Sequence, residues 1–200
     1  MTESKRQAAR NRRHAAVHEA GHVVVARLFG IELSSAWIWR DEEGCWDGRV
    51  QVRNDANPAE RRMVAIAGAA AEACWFLPWR PLDFEDWEAP DVMSESDWSL
   101  TGCTPGHPDA AFFRATIQLE RLFLGKRPFG GGGGPLWRPL TRAARWLIRN
   151  EMPWRRKVSW PDDLYVAAAP DPAAMTAGRR RSLSRALARD QNTEDFSQRP

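Results

Sequence analysis

Apolar positions recur first at helical spacing. From about Ser4 to Phe29 the early turns are Ala-rich and an apolar stripe runs through Ala16, Val17, Val24 and Leu28, which predicts one helix stopped by Gly30. Between Glu32 and Val52 the pattern shifts to two short β-prone runs, Ser35–Trp39 and Arg49–Arg53, separated by the polar stretch Asp41–Gly48. That is a hairpin signal. Asn57-Pro58 opens a second helix over Ala59–Leu77, Ala-rich and apolar as a buried helix is, and Pro78 and Pro81 close it. Residues 78–109 are acidic, Pro-containing and Trp-rich, and read as a long loop with at most one helical turn around Glu95–Leu100. Further helices are predicted over Pro108–Leu124 and Leu136–Asn150, joined by Lys126–Pro135, whose glycines Gly130–Gly134 predict a flexible joint. The fold class that follows is α+β, mainly α-helical: a long helix, a small β-hairpin and a helical remainder.

Length and composition narrow this picture. Two hundred residues allow one ordinary domain, and 43% hydrophobic with 28% charged residues supports a real core. We divide the chain into a basic N-terminal helix extension (1–13), a single domain (14–170) and a basic, flexible tail (171–200). No apolar stretch approaches the roughly 18 residues that cross a bilayer, so no membrane partner is expected. Cys45, Cys74 and Cys103 suit neither a disulfide framework nor a C-x-x-C zinc site, and fit a reducing, cytoplasmic setting. The net charge is +3, but Lys and Arg are concentrated at the ends, five against Glu3 over residues 1–13 and six against four acids over 171–200. The body between them is slightly acidic. Those ends read as solvated tails, and no nucleic-acid partner is expected; a nucleic-acid-associated protein that uses its basic ends stands as a third, weaker reading, marked by binding that falls steeply with salt. Eleven Trp is the oddest number in the composition, and most are expected in the core. The Gly-rich run is no phosphate loop, because no G-x-x-x-x-G-K-[ST] string is present.

One constellation carries chemistry: His18-Glu19-Ala20-Gly21-His22, an H-E-x-x-H inside the best-defined helix. Residues four apart share a helical face, so the imidazoles of His18 and His22 can converge on one ion, with zinc–nitrogen bonds of about 2.0–2.1 Å. Glu19 is then placed to act as general base on water. His14, four residues before His18, has basic flanks and reads as a solvated histidine. Gly21 costs the helix about 1 kcal/mol relative to Ala, a penalty explained if another element packs closely there. A third ligand is needed, and by residue type Asp97, Glu72, His107 and Asp91 are all open. Glu72 has a second reading as a carboxylate that orients a ligand histidine through its distal N–H. His107 and Tyr165 are candidate oxyanion donors.

The segment from Ala16 through His18, Glu19 and His22 to Ala26 resembles the zinc helix of FtsH-type ATP-dependent metalloproteases, whose pattern is close to A-x-H-E-A-G-H-A-V-V-A. Ile66–Glu72 is similar to that family's L-x-G-G-R-A-A-E helix. Ser94–Trp98 sits where the family has G-A-x-x-D-L, and the resemblance implies Asp97 as the third zinc ligand. The order and spacing match over residues 14–125. Met93-Ser94 and Trp98 depart from the family pattern, the Gly-Arg of its second helix is absent, and the sequence has no Walker A string. The resemblance therefore implies a stand-alone zinc peptidase acting on polypeptides without ATP, with a protein adaptor as a candidate partner. The alternative is a catalytically inactive, zinc-stabilised protein-binding or regulatory domain derived from such a peptidase. Oligomeric state leaves no trace in the sequence.

Overall fold

The computed structural model describes residues 3–52, 56–77, 87–125 and 133–150. The N-terminal helix forms nearly as its pattern predicts, as α1 (Glu3–Leu28), and is followed by β1 (Leu33–Arg40) and β2 (Trp46–Val52). Then come α2 (Pro58–Phe76), a 3-10 turn (Pro90–Val92), α3 (Glu95–Thr101), α4 (Ala110–Leu124) and α5 (Trp137–Arg149). Five helices with a two-stranded antiparallel sheet make the α+β, mainly helical architecture that the pattern implies. Among the described residues no helix is long and apolar enough to cross a membrane. The tail 171–200, the stretch 151–170 with Tyr165, and Gly130–Gly132 of the expected joint lie outside the described residues.

Local chemistry sets the element ends. Asn57 caps α2 in a reciprocal box, its side-chain oxygen accepting from the Glu60 amide at 2.9 Å while the Glu60 carboxylate accepts from the Asn57 amide at 3.2 Å. The hairpin turn is shorter than the expected Asp41–Gly48. Gly44 takes φ 87°, and the Asp41 carboxylate accepts the Cys45 amide at 2.7 Å, so pairing resumes at Trp46.

Helix α1 is the spine, with α2 and α5 packed on it. Gly21 explains how close α2 comes: a Cβ there would collide with the Ala67 carbonyl oxygen and lie 2.8 Å from the Ala71 Cβ. Small residues on both helices permit that approach, and Ala67, Ala70 and Ala71 are fully buried. In the region read as a loop with at most one helical turn around Glu95–Leu100, the structure has a seven-residue helix, α3, of about two turns from Glu95 to Thr101. Its Trp98 is buried and stacks on Phe112 of α4 with ring centroids 5.4 Å apart, and Trp87 meets the same ring edge-on at 5.2 Å. The expectation that most tryptophans are core residues is corrected here. Of those described, only Trp87 and Trp98 are fully buried; Trp37, Trp39, Trp46, Trp75, Trp137 and Trp146 are half-buried.

Candidate metal centre

Helix α1 carries His18, Glu19 and His22 one turn apart, and α2 and α3 complete their surroundings. His22 is buried, and its Nδ1–H donates to the Val64 carbonyl oxygen of α2 at 2.7 Å. Because a carbonyl can only accept, that bond fixes the tautomer and leaves the Nε2 lone pair free on the side of the cleft. His18 Nδ1 faces the Glu72 carboxylate at 3.4 Å, which likewise turns its Nε2 outward.

Both Nε2 atoms meet Asp97. His18 Nε2 is 3.5 Å from Asp97 Oδ2, and His22 Nε2 is 3.7 Å from Asp97 Oδ1. One ligand atom from each of the three residues lies within 4.8 Å of the others. Two atoms bound tetrahedrally to zinc at about 2.0–2.1 Å are about 3.3 Å apart, so the two histidine–aspartate separations fit a shared ion after a shift of a few tenths of an ångström, and the widest pair, within 4.8 Å, after closing by up to about 1.5 Å. The residue types fit as well, two neutral imidazoles and one carboxylate. The space is also cleared for it. A Cβ on Gly68 would lie 2.5 Å from both Nε2 atoms, and only a glycine leaves that cradle open.

Asp97 is held in position from two sides. Ser94 caps α3, its hydroxyl accepting the Asp97 amide at 3.1 Å and donating to Asp97 Oδ2 at 2.7 Å. The buried Trp98 next to it pins the helix against Phe112. Ser94 and Trp98 are thus the groups that orient this carboxylate. Among the described residues His107 and Asp91 join no such cluster: both are exposed, His107 paired with Thr104 in a turn and Asp91 within the 3-10 turn. Glu72 takes the outer position, with Oε1 toward His18 and Oε2 3.8 Å from His14 Nδ1. His14 is less solvated than its flanks implied, because its ring stacks on Phe76 with centroids 3.7 Å apart.

The electrostatics follow from crowding five titratable groups. Burial opposes it, but Asp97, Glu72 and Glu19 hold the His18 imidazole well above its ordinary value. Burial pulls His22 down. Against their own burial, Asp97 is held low by His18, His22 and the Ser94 hydroxyl, and Glu72 is held down to about 2 by His14 and His18. Glu19, buried, is pushed up to about 8 mainly by loss of hydration. Positive charge arriving among the neighbouring ligands would draw it back down. Strand β2 passes directly over this carboxyl. A Cβ on Gly48 would collide with Glu19 Cγ and lie 2.7 Å from Cδ and from Oε1.

Sequence reasoning singled out His18, Glu19, His22, Asp97 and Glu72, and the structure brings all five together. It did not find Gly48, Gly68, Ser94 or the Val64 carbonyl. Only Ser94 left a readable sign, the S-x-x-D spacing of a helix cap. Apart from Gly68, all of these residues line an open cleft of about 1490 Å³ that also contains the whole of β2. No protein-family model matches the chain, and no curated protein matches it significantly in sequence.

Proposed function

We propose that this protein is a zinc-dependent peptidase, with His18, His22 and Asp97 as metal ligands and Glu19 as general base. The observation that carries the proposal is the convergence of both Nε2 atoms on the Asp97 carboxylate, with a buried glutamate beside them. Bound there, zinc supplies Lewis acidity, which makes water a nucleophile near neutral pH and polarises a peptide carbonyl. The chain's own groups do the rest. Glu19 takes the proton of the attacking water on a carboxylate oxygen and returns it to the leaving amide nitrogen. Glu72 and the Val64 carbonyl keep both imidazoles turned toward the ion.

A polypeptide substrate suits the cleft, which exceeds the roughly 300–1,000 Å³ of small-molecule pockets. Strand β2 lines it and pairs only with β1 among the described residues, so its other edge is open to the backbone of an extended peptide. None of this chemistry requires a nucleotide. The same residues support kinship with FtsH-type peptidase domains. A buried glutamate held next to the ligands favours catalysis over a purely structural ion, since a structural site is closed by a fourth protein ligand and needs no base. The test has two parts. Protein purified without a metal-affinity tag should contain about one zinc per chain. Glu19→Gln should keep that zinc and lose peptide hydrolysis; a variant as active as wild type would overturn the role of Glu19, and a chain that cannot be loaded with zinc would overturn the whole reading.

A further inference from the structure

Helix α5 takes no part in the metal cleft. Its buried residues, Pro139, Leu140, Ala143, Ala144 and Leu147, turn one face to the core, where the helix packs on α1. Its other face is built differently. Arg138, Arg142, Arg145 and Arg149 are all exposed, and at about 100° and 1.5 Å per residue they form a strip about 60° wide and about 16 Å long. The half-buried Trp137 and Trp146 flank it on either side. The helix contains no acidic residue. Among the described residues none of the four arginines has a hydrogen-bond, ion-pair or ring partner.

This arrangement works against the helix that carries it. Arg138 with Arg142, and Arg145 with Arg149, are like charges four apart, and Arg142 with Arg145 three apart; such pairs destabilise a helix. Only Arg149 lies in the last turn, where a cation is favoured by the helix dipole. Among the described residues nothing offsets the repulsion, and an external polyanion would.

We infer that the arginine strip of α5 is a docking surface for the phosphodiester backbone of nucleic acid, read without regard to base sequence. The guanidinium fork matches phosphate bidentately, and four forks in a row present a linear array to a linear row of phosphates. A lipid surface fits less well. An interfacial helix must offer apolar side chains to the acyl boundary, whereas the apolar face of α5 is buried in the protein. The expectation of no nucleic-acid partner rested on basic ends around an acidic body, and averaging over that body concealed one wholly basic helix face within it. The inference does not depend on the zinc reading.

The test uses the full chain and a labelled DNA duplex of arbitrary sequence, with anisotropy measured as KCl is raised from about 50 to about 200 mM. Each neutralised phosphate contributes about −0.9 to the slope of log affinity against log salt, so the strip contributes about −3.6. The variant R138Q/R142Q/R145Q/R149Q should lose that part of the slope and bind at least ~10-fold more weakly at low salt, leaving only what the basic ends contribute. Its thermal midpoint should not fall, because four exposed, mutually repelling charges have been removed. Wild-type slope and affinity in the variant, or no duplex binding by wild type at about 50 mM KCl, would overturn the inference. So would duplex binding unchanged by the substitutions when binding to phosphatidylserine vesicles or polyglutamate is lost, an outcome that assigns the strip to that partner instead.

Discussion

On the proposed function, Gly48→Ala should separate the role of Glu19 from metal binding by His18, His22 and Asp97. The residue sits in β2 opposite Ile38, where alanine would ordinarily strengthen the strand. Here the added methyl carbon meets Glu19. It would lie 2.7 Å from both Cδ and Oε1, whereas ordinary contact begins at 3.4 Å, so the carboxyl must retreat by about 0.7 Å or more. A misplacement near 1 Å in a reacting group costs about 100-fold in rate. The methyl's three nearest neighbours are all atoms of Glu19, so the clash falls on the base and not on His18, His22 or Asp97. The expected outcome is therefore specific: zinc per chain unchanged, KM for a labelled unfolded protein unchanged, and kcat reduced about 100-fold. Hydrolysis at the wild-type rate would refute the claim that β2 sets the position of Glu19. Loss of zinc in step with activity would show that the damage reached the ligands and that the two functions are not separable in this way.

Three further outcomes are expected. Gly68→Ala puts a methyl carbon 2.5 Å from both Nε2 atoms, and overpacking of about 1–3 kcal/mol should weaken zinc binding by about 5- to 150-fold, read by chelator competition, while the circular dichroism of the fold is retained. Asp97→Ala should abolish zinc binding, whereas Glu72→Ala should only weaken it, by about 10- to 100-fold; the reverse order in equilibrium dialysis would exchange their roles. The last concerns the metal-free protein. Glu19 is held up to about 8 against an ordinary 4.5, so folding takes up a proton and stability falls as pH rises from about 4.5 to about 8. Glu19→Gln should remove that dependence and stabilise the metal-free fold by up to about 3 kcal/mol at pH 7 in urea titrations, and equal stability of the two proteins from pH 5 to pH 8 would count against it.

Much of the scaffold was legible because its signals are local. The apolar stripe of α1 and the Asn57-Pro58 opening of α2 each act over a few residues, and both helices formed within a few residues of their expected bounds. The H-E-x-x-H spacing was legible for the same reason, since i and i+4 share a face of any helix. His14 shows where local reading fails. Its flanks gave solvation, but stacking depends on Phe76, which lies on α2 and carries no mark in the sequence near His14.

By itself, then, the sequence determined which side chains can bind a metal and which helix carries two of them. It also determined that α5 has a basic face, because helical periodicity alone aligns Arg138, Arg142, Arg145 and Arg149. Only the tertiary structure decided between Asp97 and Glu72 as neighbours of the Nε2 atoms, through the cap at Ser94 and the anchoring of Trp98 on Phe112. Gly21 was marked by its cost inside a helix, but the structure alone decided which atoms require it and that Gly48 and Gly68 matter too, each facing a different atom that approaches from another element. The physical reason is common to all of these. A side chain's chemistry travels with the residue, but the space beside it belongs to segments distant in the sequence, and that space brings Asp97 to the Nε2 atoms, sets β2 over Glu19 and, among the described residues, leaves the four arginines of α5 without a partner.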